Sequence, residues 1–197
     1  MGQVVLVLGE SGSGKSSSLR NFEAGEIGIL SVTGKKMPFK KKLSVINNVD
    51  YATIAGALGA NQFNSYVIDD ANYLMTFELF DKATETGYGK FTTIGKNFYD
   101  LLQYSIKETS EDTIVYFFAH IDKNDIDGKM KMKSVGKMLD NQLCIEGLFN
   151  IVLFAEAENG KYKFVTQSDG ATTAKSPMEM FPLDIDNDLK LVDDAIR

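Results

Sequence analysis

VVLVLGESGSGKSSSLR, residues 4–20, is an apolar run that stops in a glycine-rich loop and resumes as a polar stretch. Val4 to Leu8 reads as a buried strand, and Ser16 to about Phe22 as a short helix closed by Gly25. Between them lies G-x-x-x-x-G-K-[ST], in the strand-then-helix setting that the motif requires. Glycines 9, 12 and 14 permit tight turns and leave backbone N–H groups free to surround phosphate oxygens. A helix N-terminus after the loop would add donors and the positive end of a dipole. The stretch Gly9, Glu10, Ser11, Gly12, Ser13, Gly14, Lys15, Ser16 and Ser17 is therefore the expected nucleotide cradle. In it, Lys15 reaches the β- and γ-phosphates and Ser16 ligates Mg2+. The implied ligands are ATP or ADP and Mg2+.

Working outward, the next chemical signal is NSYVIDD at 64–70, a short apolar strand tipped by two acids. A carboxylate at a strand's C-terminal end suits a magnesium site. Asp69 is the expected partner of the Mg2+ shell, and Asp70 the expected group that polarises the attacking water; Glu78 is a weaker alternative base. Both acids could instead cap the helix that follows. TIVYFFAH, 113–120, is apolar throughout, as expected of a central strand covered on both faces. It ends in His120, the only histidine, which is either a core-boundary residue or a sensor of the γ-phosphate.

The remaining segments are read around this frame. Ile27 to Val32 is a further strand, and five lysines fall between Lys35 and Lys42, in a solvated hairpin or loop or in a phosphate-contacting one. Tyr51 to Leu58, Asn72 to about Thr86, and Ile94 to Thr109 read as helices, the second with Tyr73, Leu74, Phe77, Leu79 and Phe80 inward. Tyr88 to Thr93 reads as a loop. Lys129, Lys131 and Lys133 alternate with Met130 and Met132, as a strand or loop with one basic face. Ser134 to Leu143 suits a short helix, and Asp122, Asp125 and Asp127 do not complete a calcium loop. Leu148 to Ala155 and Tyr162 to Thr166 form an antiparallel hairpin at the far edge of the sheet, turning at Asn159-Gly160. Phe181 to Leu183 packs back on the core, and Asn187 to Ile196 is a last helix.

The expected architecture is thus a single domain over 1–197, α/β with three layers and a mostly parallel sheet ending in an antiparallel hairpin. At 197 residues and 44% hydrophobic content the chain can bury a sizeable core. A net charge of -6 argues against an extended basic nucleic-acid surface but leaves room for local patches. One cysteine, Cys144, excludes a disulfide framework and agrees with a reducing, cytoplasmic setting. No apolar run reaches membrane-spanning length, so no membrane partner is expected. Arg20 and Arg197 are the only arginines, which disfavours a nucleotide kinase with an arginine-rich lid. It also leaves lysines, with Lys137 and Lys175 as candidates, to act on a neighbouring subunit's nucleotide.

The chain resembles the compact bacteriophage ATPases with a RecA-type ATP-binding core, close to the short phage single-strand annealing proteins of that type. The resemblance rests on GESGSGKSSSLRNF (9–22), VIDDAN (67–72), FFAHID (117–122), GKMLDNQLCIEGLF (136–149) and FVTQSDGATTAKSPMEMF (164–181), and covers nearly the whole chain. It implies Lys15 and Ser16 at the phosphates and Mg2+, Asp69 as their acidic partner, and His120 as a polar sensor. It further implies a RecA-like fold, a homo-oligomeric ring or filament in a bacterial host cell, and single-stranded DNA bound during phage recombination or replication. RecA draws its catalytic glutamate from a different strand than the magnesium aspartate. Ile27 to Val32 contains no glutamate, so Asp70 is the substitute. The competing expectation is an ATP-driven switch or loader acting on a helicase or terminase, with a nucleotide kinase ranked lower.

Overall fold

The computed structural model describes residues 1–123, 128–135 and 143–197. Its ten strands are β1 (Gln3–Leu8), β2 (Ile27–Ser31), β3 (Ser44–Asn47), β4 (Ser65–Asp69), β5 (Ile114–Ala119), β6 (Ile121–Lys123), β7 (Met130–Met132), β8 (Ile151–Glu158), β9 (Lys161–Val165) and β10 (Asp184–Asp186). Four α-helices are described: α1 (Tyr51–Gly59), α2 (Asn72–Asp81), α3 (Gly89–Lys107) and α4 (Leu189–Ile196). Eight strands form one sheet in the order β10-β9-β8-β1-β5-β4-β2-β3, and β6 and β7 form a separate antiparallel pair. From β8 to β3 all pairings are parallel, whereas β8, β9 and β10 run antiparallel to one another in turn.

The continuous apolar runs of β1 and β5 follow from burial on both faces. Val4, Leu6 and Leu8 face one cluster with Ile54, Leu74, Phe98 and Leu102 of α1, α2 and α3. Val5 and Val7 face the other, with Leu19, Phe22, Leu189 and Val192. Helices therefore cover both faces of the sheet, giving three layers. Asp50 caps α1 by accepting from the Thr53 backbone N–H, and Asp188 caps α4 by accepting from Lys190.

Both arginines hold the chain's end to the core. Arg20 donates to the Asn187 carbonyl at 2.5 Å. Arg197 donates to Asp193 at 2.9 Å and to the carbonyls of Asp112 and Asn64, each at 3.0 Å. Asp193 is buried and also accepts from the Ser65 hydroxyl at 2.5 Å and the Tyr116 hydroxyl at 2.9 Å. The scarce arginines are thus spent on fastening α4 beneath β4 and β5.

Several expectations are corrected. The short helix expected after the glycine loop is present over Ser16–Asn21 but is of the 3-10 kind, with Ser18 Oγ donating to the Lys15 carbonyl at 2.6 Å. Backbone donors, rather than the dipole of a regular helix, are what this loop offers. The 35–42 segment is no hairpin: β2 and β3 are parallel, so it is a crossover connection. Its Met37 and Phe39 pack against the lower core, and Lys41 pairs with Glu23 at 2.8 Å. Helix α2 stops at Asp81, which leaves Phe77 and Phe80 on its exposed outer side. Tyr88 to Thr93 is not a loop, since α3 begins at Gly89. The β8–β9 hairpin forms as expected but is not the edge, because β10 adds outside it, and Leu183 is exposed rather than packed back. The proposed helix at 134–143, Lys137, and the acids Asp125 and Asp127 lie wholly or largely outside the described residues.

Candidate functional site

A cleft of about 320 Å3 opens at the C-terminal ends of the parallel strands, lined by the glycine loop, Asp69, Asp70, His120, Lys35, Lys36 and Tyr162. Its shape follows from strand order. The strand that separates β1 from β4 is β5, not the Ile27–Val32 segment, which lies on the far side of β4. The loop after β1 must therefore arch over the end of β5 to meet the acids of β4. Ligands of open α/β sheets sit in crevices of this kind.

The arch brings Ser16 to Asp69 across 53 residues of sequence: Ser16 Oγ donates to Oδ1 at 3.1 Å and lies 3.3 Å from Oδ2. Burial pushes the Asp69 carboxyl up to about 6, with the neighbouring Asp70 charge adding to it, against the Ser16 hydrogen bond and the two lysines. A hydroxyl and a carboxylate side by side are the hard oxygen donors that Mg2+ takes. Among the described residues no cluster of three or more His, Cys, Asp or Glu could hold a metal alone.

Lys15 is buried, and its ammonium donates to the carbonyls of Gly9 at 2.7 Å and Glu10 at 2.9 Å. Burial lowers it to about 8, although Asp70 and Asp69 pull the other way. Gly12 and Gly14 take φ values of 83° and 96°, the left-handed region that glycine enters without strain. A Cβ on Gly14 would lie 2.7 Å from Tyr162 Cδ1, so β9 braces the loop from outside. Gly14→Ala is therefore expected to cost about 1–3 kcal/mol of stability and to weaken nucleotide binding, read by thermal melting and by titration with a fluorescent nucleotide.

Asp70 has a φ of 63°, a left-handed backbone position between β4 and α2. Its Oδ2 accepts from Thr33 Oγ1 at 2.8 Å and Lys35 Nζ at 2.9 Å. His120 Nε2 lies 3.2 Å from Oδ1, close enough for an ion pair though off the angle of a good hydrogen bond. Burial alone would raise the Asp70 carboxyl, but His120, Lys35 and Thr33 outweigh it and hold it well below the usual carboxylate range. The same hydrogen bond to Asp70 pushes the Lys35 ammonium up.

His120 is itself anchored: its backbone N–H donates to Asn72 Oδ1 at 3.0 Å, and its carbonyl accepts from the Lys133 backbone N–H at 2.8 Å. It thus ties the acid-tipped strand and α2 to the β6–β7 pair. The sequence-expected residues Gly9 to Ser17, Asp69, Asp70 and His120 all meet at this one edge. Glu78 does not, since Lys82 and Asn97 hold it between α2 and α3.

Thr33, Asn72 and Tyr162 join the site without having been singled out for it, and Lys35, expected only as one of five lysines that could contact phosphates, joins it beside Asp70. For Thr33 and Lys35 the signal was present, since both follow the C-terminal end of β2, the same edge as Asp69. Nothing local marks Tyr162, which arrives through a fold-back of 148 positions from Gly14. No protein-family model matches this chain, and no curated protein matches it.

Proposed function

We propose that the chain is an ATP-binding protein of the RecA-like class that hydrolyses ATP with Mg2+. The observation that carries this reading is the meeting of Ser16 and Asp69 across the end of β5, beside Lys15 in its glycine loop. A strand interposed between the lysine-bearing and acid-bearing strands suits phosphate-loop ATPases that activate water.

In this reading the loop amides and Lys15 hold the β- and γ-phosphates, while Ser16 and Asp69 hold the Mg2+ shell. A Mg2+ ion held by Ser16 and Asp69 would supply positive charge against the phosphates. Water attacks the γ-phosphorus in line, the bond to the bridging oxygen breaks, ADP leaves with that electron pair, and the water's protons pass to phosphate and solvent. Asp70 and His120, at the terminal-phosphate end, orient the water and register the phosphate's loss. The His120–Lys133 backbone link offers a route to the basic β6–β7 pair, and so to single-stranded DNA.

The test is phosphate release with Mg2+, with and without single-stranded DNA, together with particle mass. Expected are turnover that EDTA abolishes, a rise with DNA, and a mass above that of the 21.8 kDa chain. Turnover and assembly indifferent to DNA would assign the site instead to an ATP-driven protein switch. Lack of any Mg-dependent nucleotide binding would overturn the reading altogether.

A further inference from the structure

Beyond Lys15 and the Mg2+ shell, the site as assigned lacks, among the described residues, a second and mobile cation of the kind that accelerates phosphoryl transfer at the terminal phosphate. Arg20 and Arg197 cannot supply it, because both fasten the C-terminal helix, and Lys15 is buried in its own loop. Lys175 is tied by its backbone to Val152 of β8, on the far side of β1 from the Asp69–Asp70 edge.

We infer that Lys35 is this cation, acting within its own chain, with Asp70 and Thr33 as the cradle that holds it at the cleft. The inference rests on the ATPase reading above. Lys35 lines the cleft, and its Nζ sits 2.9 Å from Asp70 Oδ2, one residue from the Asp69–Ser16 pair. Its side chain is 62% exposed against 9% for Asp70, so the lysine is the partner free to swing. Tyr73 supports it from beneath, with Nζ 5.5 Å from the ring centroid. Two contacts of unequal strength, a carboxylate and a ring, hold the ammonium at the cleft wall without burying it. A γ-phosphate offers a stronger anionic partner within the reach of that side chain. Lys35 then contacts the terminal phosphate in the triphosphate state and returns to Asp70 once the phosphate leaves. Lys36 also lines the cleft, but of the two it is Lys35 that is seated on Asp70, while Met37 and Phe39 pin the loop to the core beyond them and Lys41 is engaged by Glu23.

The consequence is selectivity for ATP over ADP built on one side chain. The test compares wild type, Lys35→Met, Lys35→Arg, Lys15→Ala and Lys41→Met by fluorescent-nucleotide displacement with ATP and ADP, and by phosphate release, without DNA. Lys35→Met is expected to lose about tenfold in ATP affinity with ADP affinity changed less than about twofold, and about 100-fold in kcat. Lys35→Arg is expected to recover much of both, and Lys41→Met to behave as wild type. Melting temperatures verify that the exposed substitutions leave the fold intact. Equal loss for ATP and ADP in Lys35→Met, or no loss in either, overturns the inference while wild-type binding that depends on Lys15 leaves the ATPase reading standing. Absence of nucleotide binding in wild type overturns both.

Discussion

Lys15→Ala is expected to abolish measurable ATP turnover, with a fall of about 10³-fold or more, and to weaken ATP and ADP alike. A loss of that size corresponds to about 4 kcal/mol of transition-state stabilisation. The reason is the position of the ammonium. It is buried beneath the loop and bonded to the Gly9 and Glu10 carbonyls, so it is already oriented before any phosphate arrives. Burial has lowered it to about 8, a cost that an incoming phosphate anion would relieve. Removing the side chain leaves two inward carbonyls facing phosphate oxygens, which is repulsive. Nucleotide titration and phosphate release check this. Retention of tight binding by the variant would show that the loop amides suffice and that the lysine has another role.

The second large effect concerns stability. Asp193→Ala is expected to destabilise the fold by about 3 kcal/mol, because it takes the acceptor from two buried hydroxyls, Ser65 and Tyr116. Asp193 is only 4% exposed and gathers Ser65, Tyr116 and Arg197 around one carboxylate. Its loss strands the Tyr116 hydroxyl in a closed interior, where burial already pushes that phenol well above its usual range. For a domain of this size the fall in Tm should be about 10 °C. Chemical denaturation of Asp193→Ala, Tyr116→Phe and the double variant checks this. Non-additive losses are expected for the pair, since they share one hydrogen bond. Additive losses below about 1 kcal/mol in total would mean that Arg197 and Asp193 behave as a surface pair and that α4 is held by Leu189 and Val192 alone.

These two results bear on different links of the same chain of causes. Lys15 tests what the cleft does, whereas Asp193 tests what keeps the floor of the sheet in place beneath it. Since α4 and the Asn187 turn also brace the glycine loop, through Asn187 beside Gly14 and Arg20 on the Asn187 carbonyl, the two are physically connected. A weakened α4 should loosen the loop before the sheet melts, so nucleotide affinity in the Asp193 variant is expected to fall at temperatures well below its Tm.

Much of this protein is local in origin. Val4 to Leu8 and Ile114 to Ala119 are apolar without interruption, a pattern that only doubly covered strands need. The glycines at 12 and 14, the lysine and the serine must be neighbours in sequence because one loop has to present them together. The α/β class, the glycine-rich loop and the acids at the end of β4 are all properties of short windows, and short windows are legible. What no window contains is strand order. That β5 rather than β2 separates β1 from β4 depends on which strands find backbone partners, and it determines that Ser16 meets Asp69. The lysine-rich 35–42 stretch looks like a solvated loop in isolation, yet parallel pairing of β2 with β3 makes it a crossover and delivers Lys35 to Asp70. The short helix after the loop is legible as a helix, but not as the 3-10 helix that it is. The glycine loop and the acids thus belong to the sequence, whereas their meeting with one another, with His120 and with Lys35 belongs to the packing. Only the packed sheet brings together charges that stand 20 to 105 positions away from Lys15 along the chain.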